Sequence, residues 1–141
     1  MSRRDALARL LTDLQADLDA AHGLQTLLEQ QFQAALRHEG STLSELGPRI
    51  VAQVEAMEAR RAMRVRLVAR LLGSAQAPSM GALAETLPRP IQTALRREWQ
   101  ALESSVRHCK ALNQRNCELI VAQHALMNRV LNGEDHTYAA V

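Results

Sequence analysis

Hydrophobic positions recur at alternating steps of four and three residues along three long stretches of the chain. In the first stretch this repeating face consists of Leu7, Leu11, Leu14, Leu18, Ala21, Gln25, Leu28, Phe32 and Ala35, and Leu10, Leu24 and Leu36 widen it. Because this spacing keeps one face of an α-helix against a partner helix, it predicts a single helix over residues 4–38, about 50 Å long. Gly40 is expected to take the left-handed conformation that ends many helices.

The second stretch predicts a helix over residues 44–73. Its repeating face consists of Ile50, Val54, Met57, Arg61, Val65, Val68 and Leu72. Pro48 has no backbone N–H and is tolerated only in the first turn, so the helix is expected to begin shortly before it, at Thr42 or near Leu46. Gly73 follows the last hydrophobic position and is expected to end the helix.

A link with four helix-breaking residues precedes the third stretch, and residues 80–87 within it can form a short helix behind Ser79. The third repeating face then runs through Ile91, Leu95, Leu102, Cys109, Asn116, Ile120, Met127 and Leu131. It predicts a helix over residues 90–132 that Gly133 closes, followed by a flexible tail over residues 133–141. The predicted fold class is therefore all-α: one domain over residues 1–141, an antiparallel bundle of three long helices with a short helical excursion before the third.

The composition supports this fold and narrows the function. Of the 141 residues, 47% are hydrophobic and only 2% are aromatic, so the apolar volume comes from side chains that favour helices. The formal net charge of +2 gives no strong field for binding nucleic acid. The first residues lack the apolar run of a signal peptide or a membrane span, which predicts a cytoplasmic protein without membrane insertion.

Side chains suited to catalysis or metal binding are present, but their spacing does not assemble a site. Cys117 and His124 share a helix face, yet two ligands two turns apart cannot complete a zinc site. Cys109 and Cys117 would lie about 12 Å apart along one helix, which excludes a disulfide. There is no phosphate-binding loop, nucleophile elbow or paired carboxylate, so no enzyme activity, metal or cofactor is expected.

Five arginines fall within eleven residues of the second predicted helix: Arg60, Arg61, Arg64, Arg66 and Arg70. Their directions around the helix differ and no aromatic residues accompany them, as a nucleic-acid site would require. Glu55 and Glu58 precede them at distances that favour ion pairs. A solvated, salt-bridged helix face is therefore preferred to a nucleic-acid site, with Arg61 expected to pair within the bundle or to mark a bend.

The third predicted helix carries the most distinctive sequence. Residues 112–120 read LNQRNCELI, a leucine-rich patch covers residues 126–131, and Tyr138 follows in the predicted tail. This order resembles the FlgN family of flagellar export chaperones, as does the arrangement of a Leu-rich first helix, a second helix rich in Glu and Arg, and a proline-containing link. The chain departs from the family at Cys117 and Ala139, where members often have glycine.

The resemblance implies a protein that holds the disordered ends of the hook–filament junction proteins FlgK and FlgL and delivers them to the flagellar type III export gate. On this basis the client-binding candidates are Leu112, Asn113, Asn116, Leu119, Ile120, Met127, Val130 and Leu131. Each of the apolar candidates has an alternative role in the core, and the two asparagines have an alternative role in fixing helix register. Tyr138 is the candidate contact for the export-gate protein FlhA.

Two other functions are compatible with the residues. A structural coiled-coil component of another assembly would oligomerise through the long repeating faces. A homodimer would cover the client-binding candidates in the free protein. A regulator that binds RNA or DNA through the arginine-rich helix would show steep salt dependence.

Overall fold

The computed structural model describes residues 2–73 and 78–139, with side chains through residue 133. Its elements are α1 (Arg3–Leu36), α2 (Gly40–Leu72), α3 (Met80–Glu85) and α4 (Arg89–Ala139). The predicted all-α class is confirmed, and the short helix α3 lies where the sequence placed it. Within the described ranges, no helix has a stretch that is long and apolar enough to cross a bilayer.

The turn between α1 and α2 differs from the prediction. The Glu39 N–H donates to the Ala34 carbonyl at 2.9 Å, and His38 takes the left-handed conformation with φ of 56°. This bond across the end of α1 is typical of a Schellman turn, in which the residue after the cap is left-handed. The prediction that Gly40 holds this conformation is wrong, because α1 ends at Leu36 and the left-handed position falls on His38.

Pro48 lies inside α2 and not in its first turn, because α2 begins earlier than predicted, at Gly40. A proline in a helix interior costs about 3 kcal/mol through a lost hydrogen bond and a steric clash. The turns before Pro48 contain Leu46, which is buried, so tertiary packing keeps this segment helical.

The last helix is longer than predicted. It continues through Ala139, past the expected end at residue 132, so the backbone over residues 133–139 is helical where a flexible tail was expected. Among the described residues the one glycine with positive φ is Gly73, which caps α2 as predicted. Gly133 thus keeps a helical backbone and lowers local helix stability, by about 1 kcal/mol, without ending the helix.

Hydrogen bonds between α1 and α2 show that these helices run in opposite directions. The Arg3 guanidinium donates to the Leu71 carbonyl at 2.6 Å, and the Gln53 side chain donates to the Ala20 carbonyl at 2.8 Å. The beginning of α1 therefore lies beside the end of α2. We call this the proximal end of the molecule and the end with the α1–α2 turn the distal end.

Hydrogen bonds between α1 and α4 show that this pair runs in the same direction. The Gln25 side chain donates to the Ser105 hydroxyl oxygen at 2.7 Å, and the Gln123 side chain donates to the Ala35 carbonyl at 2.9 Å. In the described part of the chain, no Cα atom of α2 comes within 8 Å of one of α4. Hence α1 lies between the other two long helices and packs against both.

The hydrophobic core extends along α1 from Ala6 to Leu28 and involves all four helices only at the proximal end. Its buried members are Ala6, Leu10, Leu14, Ala21, Leu24, Leu28, Leu67, Val68, Leu71, Met80, Leu83, Ala84, Leu95, Leu102, Cys109 and Leu112. α2 contributes fully buried residues to this cluster only near its C-terminal end. Val54 and Val65 belong to the predicted seam, yet they are 48% and 46% exposed.

A buried carboxylate interrupts the core face of α1. This face runs through Leu10, Leu14, Asp17, Ala21, Leu24 and Leu28, and of these residues Asp17 was not predicted to belong to it. Asp17 is 3% exposed and accepts hydrogen bonds of 2.5 Å from the Arg60 and Arg64 guanidiniums. Arg64 also lies over the Trp99 ring of α4, 5.2 Å from its centroid. The group therefore ties all three long helices together.

Burial lowers the pKa of Arg64 from its ordinary value, and the charge of Asp17 opposes this change. A buried cation without a partner is strongly unfavourable, so the carboxylate is what allows Arg64 to remain charged in the interior.

We expect the substitution Asp17→Asn to lower the free energy of unfolding by about 3 kcal/mol, because two guanidiniums would lose their only shared carboxylate. Urea unfolding followed by circular dichroism measures this change. Glu58→Gln is the matched control: it breaks an exposed pair with Arg61 and should change stability little. Equal effects of the two substitutions would contradict a structural role for Asp17.

Candidate functional site

An open apolar cavity of about 680 Å³ lies at the distal end, which we call the distal cavity. Residues of α4 form most of its wall, and the α1–α2 region closes one side. Its lining consists of Gln31, His38, Leu43, Ile120, Gln123, His124, Leu126, Met127, Val130 and Leu131. A concave surface of this size that is lined mainly by apolar side chains is typical of a binding site.

The distal cavity exists because α4 extends beyond the end of α1. The bond from Gln123 to Ala35 lies one residue before the end of α1, so the remainder of α4 projects about 24 Å beyond it. On this projecting segment Leu126, Met127, Val130 and Leu131 are between 55% and 61% exposed. Clustered exposure of large apolar side chains marks an interaction surface and not a core.

A second cavity, of about 360 Å³, lies between α2 and α4 with α1 behind it. We call it the central cavity. Its lining consists of Asp17, Leu24, Leu28, Ile50, Val54, Met57, Glu58, Arg61, Arg64, Leu102, Val106, Cys109, Lys110 and Asn113. It is open because α2 and α4 both pack on α1 without meeting each other along this part of the molecule.

Charged side chains surround the central cavity and are mostly paired. The Arg61 guanidinium donates two hydrogen bonds, of 2.8 and 2.7 Å, to the Glu58 carboxylate. This interaction lowers the pKa of Glu58 and raises that of Arg61 from their ordinary values. In the part of the chain that the structure describes, Lys110 has no ion pair.

These pairs also explain the arginine-rich stretch. Arg60 and Arg64 bind Asp17 in the interior, and Arg61 binds Glu58 at the surface. The stretch was expected to be a solvated, salt-bridged face, but Arg60 and Arg64 point inward.

The structure divides the predicted client-binding residues into three groups. Ile120, Met127, Val130 and Leu131 line the distal cavity, and Asn113 lines the central cavity. Leu119 is half-buried and lines neither. Leu112 and Asn116 are 7% and 1% exposed, so they form part of the interior and present no contact surface to a partner in this conformation.

Asn116 makes the hydrogen bonds to α1 that its predicted alternative role in fixing helix register would require. Its side-chain amide donates to the Leu28 carbonyl at 2.7 Å and to the Gln31 side-chain oxygen at 2.9 Å. Its own oxygen accepts from the Arg115 guanidinium, which lies 3.6 Å from the centroid of the Phe32 ring. Because these bonds connect α4 to α1 just before the distal cavity, they set the position of the projecting segment.

Some lining residues were not predicted from the sequence. His38 and Leu43 fall where the chain was interpreted as a helix end and a cap, and Gln31 lies off the predicted seam. No local signal identifies them, because their contribution depends on how the α1–α2 turn faces α4. Leu126 belongs to the leucine-rich patch, so that patch was the available signal for it.

The two cysteines are free, with Cys109 buried and Cys117 exposed. Burial raises the pKa of the Cys109 thiol above its ordinary value, and the thiol donates to the Ala21 carbonyl at 3.3 Å. Cys109 is therefore an unreactive packing residue, whereas Cys117 is accessible to thiol reagents.

Tyr138 lies in the last turn of α4, but its side chain is outside the described residues. Its proposed role as a contact stays a prediction.

We expect Asn116→Ala to lower the free energy of unfolding by about 2 kcal/mol, because it leaves buried polar partners on α1 unsatisfied. Asn113→Ala is the matched control, since Asn113 is exposed and lies one turn away on the same helix. Thermal unfolding of both variants tests the difference. A loss no larger than that of the control would show that the register bonds contribute little.

One protein-family model, described as "FlgN protein", matches residues 1–133 of the chain. Comparison with curated proteins and comparison with solved structures each gave no match.

Proposed function

Because this chain belongs to the FlgN protein family, a family of flagellar export chaperones and not of enzymes, we propose that it is a cytoplasmic chaperone for the hook-associated proteins FlgK and FlgL. In this proposal it binds their C-terminal helical segments and delivers them to the type III export gate through FlhA.

The observation that carries the proposal is the exposed apolar surface of the distal cavity. Ile120, Met127 and Leu131 repeat at steps of seven and four residues along α4. An amphipathic client helix presents its own apolar residues at matching intervals, so it can lie in such a groove with its polar face to solvent. Binding would cover apolar surface on both molecules, which supplies the main driving force.

The position of this surface suits a carrier. All four helices contribute to the core at the proximal end, whereas the projecting segment extends past the end of α1. A client can therefore bind and leave without opening the core. In addition, Tyr138 is on the final turn of α4, about 10 Å along the helix from Leu131. We propose that it contacts FlhA while the client occupies the cavity.

We expect Val130→Glu to weaken binding of a peptide from the C-terminal segment of FlgK by about tenfold or more, because it places a charge in the apolar groove. Isothermal titration calorimetry measures the affinity. Val121→Glu is the matched control, because Val121 is a 67% exposed valine on the same helix that does not line the distal cavity.

Two results would contradict this assignment of the site. Absence of binding by the unaltered protein, to FlgK and FlgL peptides alike, would reject the client class. Equal weakening by Val130→Glu and Val121→Glu would place the client elsewhere on α4.

For the export gate, Tyr138→Ala should leave the affinity for the client peptide unchanged and weaken binding to the cytosolic domain of FlhA. Pull-down and calorimetry with that domain, using the preformed client complex, give the two readouts. Tyr138→Phe is the control for the aromatic ring and should retain binding. Loss of both interactions, or of neither, would reject the role of Tyr138.

A further inference from the structure

The central and distal cavities lie on the same face of each wall helix. On α4, residues that line the two cavities are spaced at steps of three, four or seven residues: Leu102, Val106, Cys109, Asn113, Ile120, Met127 and Leu131. On α2 the lining residues have the same spacing: Leu43, Ile50, Val54, Met57, Arg61 and Arg64. Because a repeat of 3.5 residues keeps positions on one helix face, both cavities open toward the same side of α2 and of α4.

Two positions of these repeats fall between the cavities. On α2 the position is Gly47, where an added methyl group would meet no side chain within 4 Å. On α4 the repeat passes through Asn116, which is buried against α1, and the adjacent Cys117 is exposed. The backbones of α2 and α4 stay more than 8 Å apart at their Cα atoms, and α1 lies behind both. The two cavities therefore lie in line along one side of the molecule, and we call the two together the trough.

The trough has the dimensions of a helix-binding site. From Leu102 to Leu131 it follows 29 residue steps of α4, which correspond to about 44 Å. Its walls hold apolar side chains that nothing in the described chain covers, such as Val54 at 48% and Val106 at 43% exposure. Three helices around an open channel with matched heptad repeats form a four-helix bundle that lacks its fourth member.

We infer that the fourth member is one continuous amphipathic helix of the client, about 30 residues long, which lies along the whole trough and not only in the distal cavity. This inference rests on the proposed chaperone function and specifies the form of its client. The client helix carries an apolar heptad repeat toward α1 and fills the central cavity as well as the distal cavity.

The charges around the central cavity indicate a further property of the client helix. Asp17 is neutralised by Arg60 and Arg64, and Glu58 by Arg61, whereas Lys110 on the α4 wall has no ion pair in the described chain. A carboxylate on the flank of the client helix, beside the central cavity, would complete this pairing. In a client helix that follows the trough from Leu102 to Leu131, this carboxylate lies 8 residue steps from the Leu102 end.

Two valines of α2 test the inference directly. Val54 lines the central cavity, and Val51, which is 54% exposed, lines neither cavity. Val54→Glu should weaken binding of a C-terminal client fragment of about 40 residues by tenfold or more, whereas Val51→Glu should leave its affinity within about twofold. Both side chains are half exposed, so circular dichroism and thermal unfolding should show an intact fold for each variant.

Cys117 provides a second measurement that needs no substitution in either cavity. A photocrosslinker attached to this exposed thiol sits between the cavities, while Cys109 is buried and protected from the reagent. If the client runs through the trough, irradiation should capture the fragment, and mass spectrometry should place the crosslink near its middle.

The outcomes separate this inference from the proposed function. If Val130→Glu weakens binding but Val54→Glu behaves like Val51→Glu, the client occupies the distal cavity alone and the continuous helix is rejected. If the unaltered protein binds no client fragment, the chaperone proposal itself fails. If sedimentation shows a dimer that Val54→Glu dissociates, a second copy of the chain covers the trough and the inference is overturned.

Discussion

The arrangement of the three long helices depends on one buried carboxylate. Asp17 lies in the core face of α1, where a hydrophobic residue would be expected, and it binds two arginines of α2. An unpaired charge at this depth would cost several kcal/mol, so α2 is held in the position that supplies both guanidiniums. Arg64 extends the connection to Trp99 of α4. The ion pair thereby links the long helices at the end of the central cavity nearer the proximal end.

On the two sides of this polar group the molecule has different properties. The apolar core runs along α1 on both sides of Asp17, from Ala6 to Leu28, and only toward the proximal end do α2 and α3 add fully buried residues to it. Toward the distal end, α2 and α4 separate and leave apolar side chains exposed. Regions with fewer buried contacts open at lower free energy than the core, so the distal half can adjust to a partner while the proximal half stays folded.

A second polar connection fixes the direction of the projecting segment of α4. The bonds of Asn116 to Leu28 and Gln31 fix α4 on α1 about 10 Å before its bond to α1 at Gln123. A helix anchored in this way projects in a set direction, and its apolar face meets the α1–α2 turn at His38 and Leu43. The distal cavity is thus built by a register contact together with a difference in helix length.

Most of the fold was predictable, since the existence of the helices follows from local periodicity. The set of residues that each helix buries was less so. In α1 the predicted face included Leu18 and Gln25, which are only partly buried, whereas Asp17, which was not predicted, is buried. Asp17 was passed over because a charged residue counts against burial until its partners on another helix are known. The site was predictable only where exposed leucines and the sequence motif coincide, on the projecting segment.

The sequence by itself determined the all-helical class, the approximate starts of the elements and the place on α4 where function was expected, because helix propensity and heptad spacing act over neighbouring residues. The tertiary structure decided which members of the motif are buried, as Leu112 and Asn116 are, and which are exposed, as Met127 and Val130 are. It also decided that α2 and α4 stay apart and leave an open channel. These features depend on where separate helices end and which faces they turn to each other, and no local pattern encodes that relation.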